Sequence, residues 1–213
     1  MLLMVCVLKK FSLRFLVILI KLSSLKHWII IAFCLLGYTH IEHLTNDVKF
    51  VTSSLDNNEY LVRNLPDSAD AANTLAKIRM KLQNICDLMK KKYPDDPSVK
   101  RMNKNFNPDN ISESGKNNQF TSYSVNKGEK IIFCIRQKDE AESLVDENTV
   151  TFVAIHELAH LMTESIGHTT EFWDNFKRLL RESVDAKIYN KVDYSKNPED
   201  YCGIKVSDSP LYS

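Results

Sequence analysis

The chain has 213 residues, of which 44% are hydrophobic and 26% charged, and it contains only five glycines and six prolines. This composition predicts one globular, helix-rich domain plus an appendage, and it excludes a largely disordered chain. Beyond residues 1–40 the chain carries 23 basic and 27 acidic residues, a net charge of about −4, which argues against a nucleic-acid-binding body.

Residues 1–40 are apolar, hold five basic residues and no acidic one, and predict a membrane anchor or signal segment. The unbroken apolar run at residues 28–36 extends, from Leu22 to Tyr38, to seventeen residues, which is enough for a short membrane span. Because all five basic residues precede the unbroken run, we expect a single-pass signal anchor with a cytosolic N-terminus. A cleaved signal that releases a secreted body and a helix on the membrane surface are the alternatives.

A linker, a strand and a long helix are predicted next. We interpret residues 41–58 as a linker that ends in a turn, and Glu59–Arg63 as a short strand. A proline-aspartate pair then opens a helix with one apolar stripe, formed by Leu75, Ile78, Leu82, Ile85 and Met89, and two further prolines end it. The polar stretch 103–118 is predicted to be a surface loop.

Two strands and a helix follow in the second half of the chain. The segments Phe120–Val125 and Lys130–Arg136 flank a glycine-containing turn and are the best hairpin signal in the sequence. A helix is predicted from about Glu147 to Leu161, with Asp146 as its N-cap. Gly167 is the expected stop after this helix.

A last helix is predicted to start at Thr169, and its expected buried face consists of Phe172, Trp173, Phe176, Leu179 and Leu180. The last thirty residues are predicted to be mostly irregular. The whole body is therefore expected to be α+β: a small antiparallel sheet packed by helices, with an apolar helix at the N-terminus.

Two histidines and a glutamate on the Glu147–Leu161 helix have the pattern of a metal site. His156 and His160 are four residues apart, so their imidazoles lie on one face of the helix and can reach one metal ion. Glu157 is rotated by about 100° from His156, so its carboxylate can stand beside the metal and take a proton from water. Zn²⁺ is the ion that this pattern favours.

His168 is the expected third ligand, because Gly167 permits the positive φ with which the chain turns back toward the helix. Glu164 and Glu182 are the alternatives. Three protein ligands leave the fourth coordination position of a tetrahedral zinc ion open, which favours a catalytic zinc site over a structural one. The motif can also occur by chance on an amphipathic helix that binds nothing.

The remaining candidate groups are weaker. Cys86, Cys134 and Cys202 fall in the body without the spacing of a disulfide framework, so unlinked thiols are expected. Tyr194 and Tyr201 are candidate donors to an oxyanion, although packing or surface roles are favoured for both. Cys202 is also a minor candidate for contact with the zinc.

The segment HELAHLMTESIGHTTEFW, residues 156–173, resembles the metal-site signature of WLM and SprT-like zinc metallopeptidases. The segments KNFNPDNISE (104–113), TSYSVNKGEKIIFCIR (121–136) and DYSKNPEDYCG (193–203) are similar to a membrane-tethered branch of that family found in large DNA viruses. The resemblance implies that residues 59–213 are a minimal zincin-like metallopeptidase domain.

The resemblance also implies roles for individual residues. By position, Glu157 is the implied general acid/base, and the implied zinc ligands are His156, His160 and His168. The strands around Thr121–Val125 or Lys130–Arg136 are implied to flank a cleft for a peptide substrate.

The sequence thus predicts a zinc metallopeptidase at a membrane, acting on a peptide or protein substrate. The alternative is a catalytically silent, zinc-stabilised peptide-binding module at a membrane. Members of the wider family act on proteins crosslinked to DNA. No nucleic-acid partner is expected for this chain, because its body is acidic and its sequence shows neither a zinc finger nor a basic tail.

Overall fold

A computed structural model describes residues 25–116 and 118–212 of the chain. The chain divides between residues 47 and 48 into two compact units. The first unit contains one described helix, and the second contains the predicted metal-site motif.

Helix α1 (Leu25–Asn46) covers most of the apolar run on which the membrane anchor was predicted. In the described part of the chain, no helix is both long enough and apolar enough to cross a membrane. The predicted span began at Leu22, and residues 22–24 lie outside the described ranges. Membrane association therefore stays a prediction.

The second unit is α+β, as predicted, and its described residues form four helices, a five-stranded sheet and a separate two-stranded sheet. The helices are α2 (Ser68–Lys92), α3 (Pro97–Asn105), α4 (Glu147–Met162) and α5 (Thr170–Asp185). The strands are β1 (Val48–Thr52), β2 (Glu59–Arg63), β3 (Ile111–Glu113), β4 (Tyr123–Val125), β5 (Lys130–Phe133), β6 (Glu199–Tyr201) and β7 (Ile204–Val206).

The larger sheet is mixed, so the prediction of an antiparallel sheet is wrong. Its strand order is β1-β2-β3-β5-β4, with antiparallel pairs at β1–β2 and β4–β5 and parallel pairs at β2–β3 and β3–β5. The pairing of β2 with β3 is parallel because α2 and α3 make a crossover connection between the two strands. The order also places β4 at an edge of the sheet, where it has one strand neighbour.

Several short elements differ from the sequence-based prediction. β1 lies inside the predicted linker 41–58, and β3 lies in the predicted loop 103–118. α3 begins at Pro97, a residue that was expected only to help end α2. β6 and β7 lie in the predicted irregular tail and are joined by the two residues Cys202 and Gly203, which have φ values of 52° and 84°. Two positive φ values in a two-residue loop are typical of a tight hairpin turn.

Helix α4 is the central helix of the second unit. It packs against α2, α3, α5 and β4, and most of its side chains are buried. The predicted apolar stripe of α2 is confirmed, since each of its five residues is at most 1% exposed. On α4, the half-buried residues Val153, His156 and His160 mark the face that the core leaves open.

Candidate metal centre and cleft

Helix α4 carries both histidines and the glutamate of the motif. It begins as predicted, because the carboxylate of Asp146 accepts a hydrogen bond from the N–H of Thr149 at 2.9 Å. His156 and His160 lie one turn apart, and their Nε2 atoms are 3.2 Å from each other. The helix therefore holds two imidazole nitrogens where they can share one ion.

His168 reaches the same point from the loop after α4. The helix ends at Met162, one residue beyond the predicted Leu161, and the chain then passes through Gly167 with a φ of 84°. The positive φ expected of Gly167 is present, although this glycine does not cap the helix. The Nε2 atom of His168 then lies 3.1 Å from the Nε2 atom of His156.

The spacing of the three histidines fits a metal ion. One ligand atom from each lies within 4.8 Å of those from the other two. With zinc–nitrogen bonds of about 2.0–2.1 Å, two ligands of a tetrahedral zinc ion are about 3.3 Å apart. The observed Nε2 separations of 3.1 and 3.2 Å are close to that length. The three residues, hereafter the triad, thus suit a tetrahedral ion with one further position.

Burial keeps two imidazoles of the triad neutral. Desolvation, together with the nearby His160 and His168, lowers the pKa of His156 to about 3. Desolvation, His168 and the ammonium of Lys127 lower the pKa of His160 to about 4. Both rings are therefore unprotonated at neutral pH, which is the form of imidazole that binds a metal.

Glu157 lines the same cleft as the triad and is buried, with 4% of its surface exposed. Burial raises the pKa of its carboxyl group to about 7, although a hydrogen bond from the backbone of Ser124 opposes the shift. A carboxyl group with this pKa can accept a proton and return it at neutral pH. Since Ser124 belongs to β4, the edge strand directly contacts the candidate acid/base.

Phe172 supports the triad from the buried side. It is fully buried, and its ring centroid lies 4.8 Å from the ring centroid of His156, 4.3 Å from that of His160 and 4.6 Å from that of His168. Thr169 caps α5, as predicted, and its hydroxyl accepts a hydrogen bond from the backbone N–H of Phe172. One core residue of α5 thus restricts all three imidazoles.

Trp173 is 44% exposed, so its predicted burial is wrong. It lies about 100° around α5 from its neighbour Phe172, which directs it away from the buried face. Its ring centroid lies 5.6 Å from that of His168, so the indole packs against this imidazole of the triad. The other residues of the predicted face are buried: Phe172, Phe176, Leu179 and Leu180.

Lys127 fastens the loop that presents His168. Its ammonium donates hydrogen bonds to the backbone carbonyls of three successive residues, 163–165, at 2.9, 3.2 and 2.9 Å. The carboxylate of Glu171 accepts hydrogen bonds from two backbone N–H groups of the same segment, at 2.9 and 3.2 Å. The loop is therefore held by the β4–β5 turn and by the first turn of α5.

The two alternatives for the third ligand are engaged elsewhere. The carboxylate of Glu164 pairs with Arg101 at 2.8 Å. The carboxylate of Glu182 accepts hydrogen bonds from Lys92 at 2.7 Å and from the Tyr93 hydroxyl at 2.6 Å. Among the described residues, the group that converges here consists of His156, His160 and His168.

The two tyrosines have packing roles. Tyr194 is buried, with its ring centroid 4.9 Å from that of Phe152, and it is not among the described residues that line the cleft. Tyr201 lines the cleft, but its hydroxyl donates to the carbonyl of Cys134 at 2.8 Å and lies 2.6 Å from the Ser122 hydroxyl. These contacts agree with the packing role that was favoured for both.

Cys134 and Cys202 form a disulfide, so the prediction of unlinked thiols is wrong for this pair. The two residues are 68 positions apart and meet because the β6–β7 hairpin returns to the end of β5, which no local spacing reveals. Cys86 is free and buried. A disulfide-bonded Cys202 has no thiolate with which to bind a metal.

The triad faces a cleft with a volume of about 670 Å³. Residues 121–124, on β4 and just before it, form one part of the lining, as implied for the strand around Thr121–Val125. Other parts come from α4, from the loop before α5 and from the β6–β7 hairpin. No residue of Lys130–Arg136 is among the described lining residues.

A family model of the WLM domain matches residues 54–209, which include all of the triad and Glu157. This chain belongs to the WLM family. The family is of the metalloprotease type, so at this coarse level the chain is a peptidase.

Relatives of this WLM domain occur in large viruses. Uncharacterized protein R325 of Acanthamoeba polyphaga mimivirus is 30% identical over 170 residues, 78% of this chain and 86% of the relative. Uncharacterized protein 136R of Invertebrate iridescent virus 6 is 34% identical over 83 residues, 38% of this chain and 44% of the relative.

A crystal structure of Wss1 from Saccharomyces cerevisiae is similar to this chain, with a TM-score of 0.43 and 23% identity. The similarity covers 57% of this chain and 84% of that one.

Three residues at the site of this WLM domain were not assigned to it from the sequence. Lys127 was placed in a turn, Ser124 in a strand and Phe172 in the core. Their contacts arise where the β4–β5 hairpin, α4 and α5 pack together, and local sequence patterns do not encode such packing. The only signal in the sequence was a lysine within the predicted turn between the two strands, and it is a weak one.

Proposed function

We propose that this WLM domain hydrolyses peptide bonds with the help of a bound zinc ion. The observation that carries the proposal is the convergence of three imidazole nitrogens beside a buried carboxyl group in an open cleft. A structural zinc site is normally closed by four protein ligands. The described residues supply three, which leaves a position for a reacting molecule.

The residues of the site have distinct roles in the proposed reaction. His156, His160 and His168 would hold the zinc ion. When bound, zinc supplies a Lewis acid that polarises a peptide carbonyl and favours deprotonation of water. Glu157 accepts the proton of the attacking water, and it returns that proton to the amine nitrogen as the C–N bond breaks.

A peptide or protein is the proposed substrate class because β4 lies at the sheet edge and lines the cleft. An extended segment can pair with such an edge strand. We propose no nucleic-acid partner, since the body is acidic. Membrane association of residues 1–40 remains a separate prediction, as does the alternative of secretion.

The variant Glu157→Gln tests the proposed reaction. Glutamine keeps the size of the side chain but does not accept the proton, so zinc content should equal that of the wild type. Hydrolysis of a random decapeptide library should fall by about 100-fold or more, the typical contribution of general acid–base catalysis. Elemental mass spectrometry of the protein measures the zinc content. Mass spectrometry of the peptide library measures hydrolysis.

Glu164→Gln is the matched control, because Glu164 is a neighbouring glutamate whose carboxylate pairs with Arg101. It should keep both zinc and hydrolysis. Retained hydrolysis in Glu157→Gln would rule out the proposed reaction. A wild-type protein that holds zinc but shows no chelator-sensitive hydrolysis would instead favour the silent peptide-binding module.

A further inference from the structure

Five of the described residues that line the cleft are apolar or aromatic and belong to α4, β6 and β7, and we call them the apolar wall. It consists of Phe152 and Val153 on α4, Tyr201 on β6, and Ile204 and Val206 on β7. Val153 precedes His156 by three residues and Glu157 by four, so it lies on the same face of the helix as both. The apolar wall therefore begins beside the triad.

The cleft offers little charge to a substrate side chain. Of the described lining residues, only Glu157 and Lys127 belong to the Asp, Glu, Lys and Arg types. The ammonium of Lys127 is already bound to three backbone carbonyls, and Glu157 is assigned to proton transfer. A charged side chain would thus lose hydration in the cleft without gaining a partner.

The β7 part of the apolar wall presents apolar surface to the cleft. Ile204 is 52% exposed, and Val206 is half-buried. Both lie on one face of β7, whereas the intervening Lys205 lies on the other and pairs with Asp200 at 3.4 Å. This surface is available for burial by a ligand, and removing apolar surface from water favours binding of an apolar side chain.

The apolar wall is fixed before any ligand arrives. The disulfide between Cys134 and Cys202 ties the β6–β7 turn to the end of β5. The hydroxyl of Tyr201 contacts Ser122 and the carbonyl of Cys134. Because the subsite is already ordered, it loses little conformational entropy when it binds a side chain.

We infer that the apolar wall is a specificity subsite, which binds one large apolar side chain of an extended polypeptide beside the bond to be cut. The inference rests on the proposed function for the position of that bond, but binding at the subsite requires no hydrolysis. A leucine should be preferred to an alanine by about tenfold, as expected for a partly open apolar pocket.

A random decapeptide library tests the subsite on the full chain loaded with zinc. In the wild type, Leu, Met or Phe should be enriched about tenfold over Ala at one fixed position beside the cleaved bond. Val206→Glu should abolish that enrichment and favour Lys or Arg at the same position, and Ile204→Glu is a second variant at the exposed end. Lys205→Glu, on the opposite face of β7, is the matched control and should keep the wild-type preference.

Retention of the same library on immobilised Glu157→Gln protein decides the inference without hydrolysis. Retained peptides rich in large apolar residues, with that enrichment lost in the Glu157→Gln/Val206→Glu double variant, support the subsite even if the wild type cleaves nothing. In that case only the proposed peptidase function fails. Retained peptides without an apolar preference, or with a preference that Val206→Glu leaves intact, overturn the subsite even if the wild type cleaves the library.

Discussion

Burial has opposite consequences for the two kinds of titratable residue at the site. Desolvation lowers the pKa of His156 to about 3 and raises the pKa of Glu157 to about 7. In both residues burial favours the uncharged form. For the imidazole this is the form that binds a metal, and for the carboxyl group it brings proton exchange into the neutral range. The same burial thus gives His156 and Glu157 the protonation properties that their proposed roles require.

Lys127 is predicted to act as a positioning residue for His168. Lys127→Met removes the three hydrogen bonds that hold the loop at residues 163–165. The loop that presents His168 then loses its restraint from the β4–β5 turn, and zinc affinity should fall by about tenfold, a typical effect of losing a residue that orients a ligand. Competition with a chelating dye measures the dissociation constant.

The matched control for Lys127 is Lys130→Met, which removes the same charge from the same hairpin. Its zinc affinity should match the wild type, and in the Co²⁺-substituted protein its visible spectrum should be unchanged. The spectrum of Lys127→Met should differ, because the third imidazole is less well fixed. Equal zinc affinity for Lys127→Met and the wild type would contradict the positioning role.

At the level of elements, long periodic segments could be predicted and short or non-local ones could not. The stripe of α2 and the capped start of α4 were visible because each depends on residues within one helix. β3 has three residues, two of them polar, and exists because it pairs with β2 and β5. The turn at Gly167 could also be predicted from the sequence. The hydrogen bonds from Lys127 to the same loop could not, because this lysine belongs to the β4–β5 turn.

The disulfide is predicted to stabilise the β6–β7 hairpin against the end of β5. The disulfide closes a loop of 68 residues in the unfolded chain and so lowers the conformational entropy of that state. This loss raises the free energy of the unfolded state by roughly 4 kcal/mol. Cys202→Ser should therefore lower the free energy of unfolding by about 2–4 kcal/mol. Urea denaturation with and without dithiothreitol measures the change, and the reductant should destabilise the wild type but not the variant.

Cys34→Ser is the control for the disulfide, because Cys34 is a free, exposed thiol. This variant should keep the stability of the wild type and its response to dithiothreitol. Peptide mapping after alkylation without reduction should find Cys134 and Cys202 unmodified and linked. A wild-type stability that does not change with dithiothreitol would contradict the prediction.

At the level of the whole domain, folding is what assembles the metal site. Two ligands come from α4 and the third from a loop that is held by the β4–β5 turn and by α5. The unfolded chain does not bring these segments together, so a metal that binds the triad binds the folded state almost exclusively. Zinc should consequently act on stability as well as on catalysis.

Zinc-linked stability is predicted to report directly on the third ligand. At a free zinc concentration about 100-fold above Kd, binding stabilises the fold by about 2.7 kcal/mol, which raises Tm by roughly 5–10 °C for a domain of this size. EDTA should reverse the shift, and His168→Ala should reduce it strongly. Glu182→Ala should keep the full shift, although loss of its contacts with Lys92 and Tyr93 lowers the starting Tm. Calorimetry with and without zinc measures each case. A zinc shift that His168→Ala keeps and Glu182→Ala loses would identify Glu182 of α5 as the third ligand. Its carboxylate would then have to leave the hydrogen bonds that it accepts from Lys92 and Tyr93 in this structure.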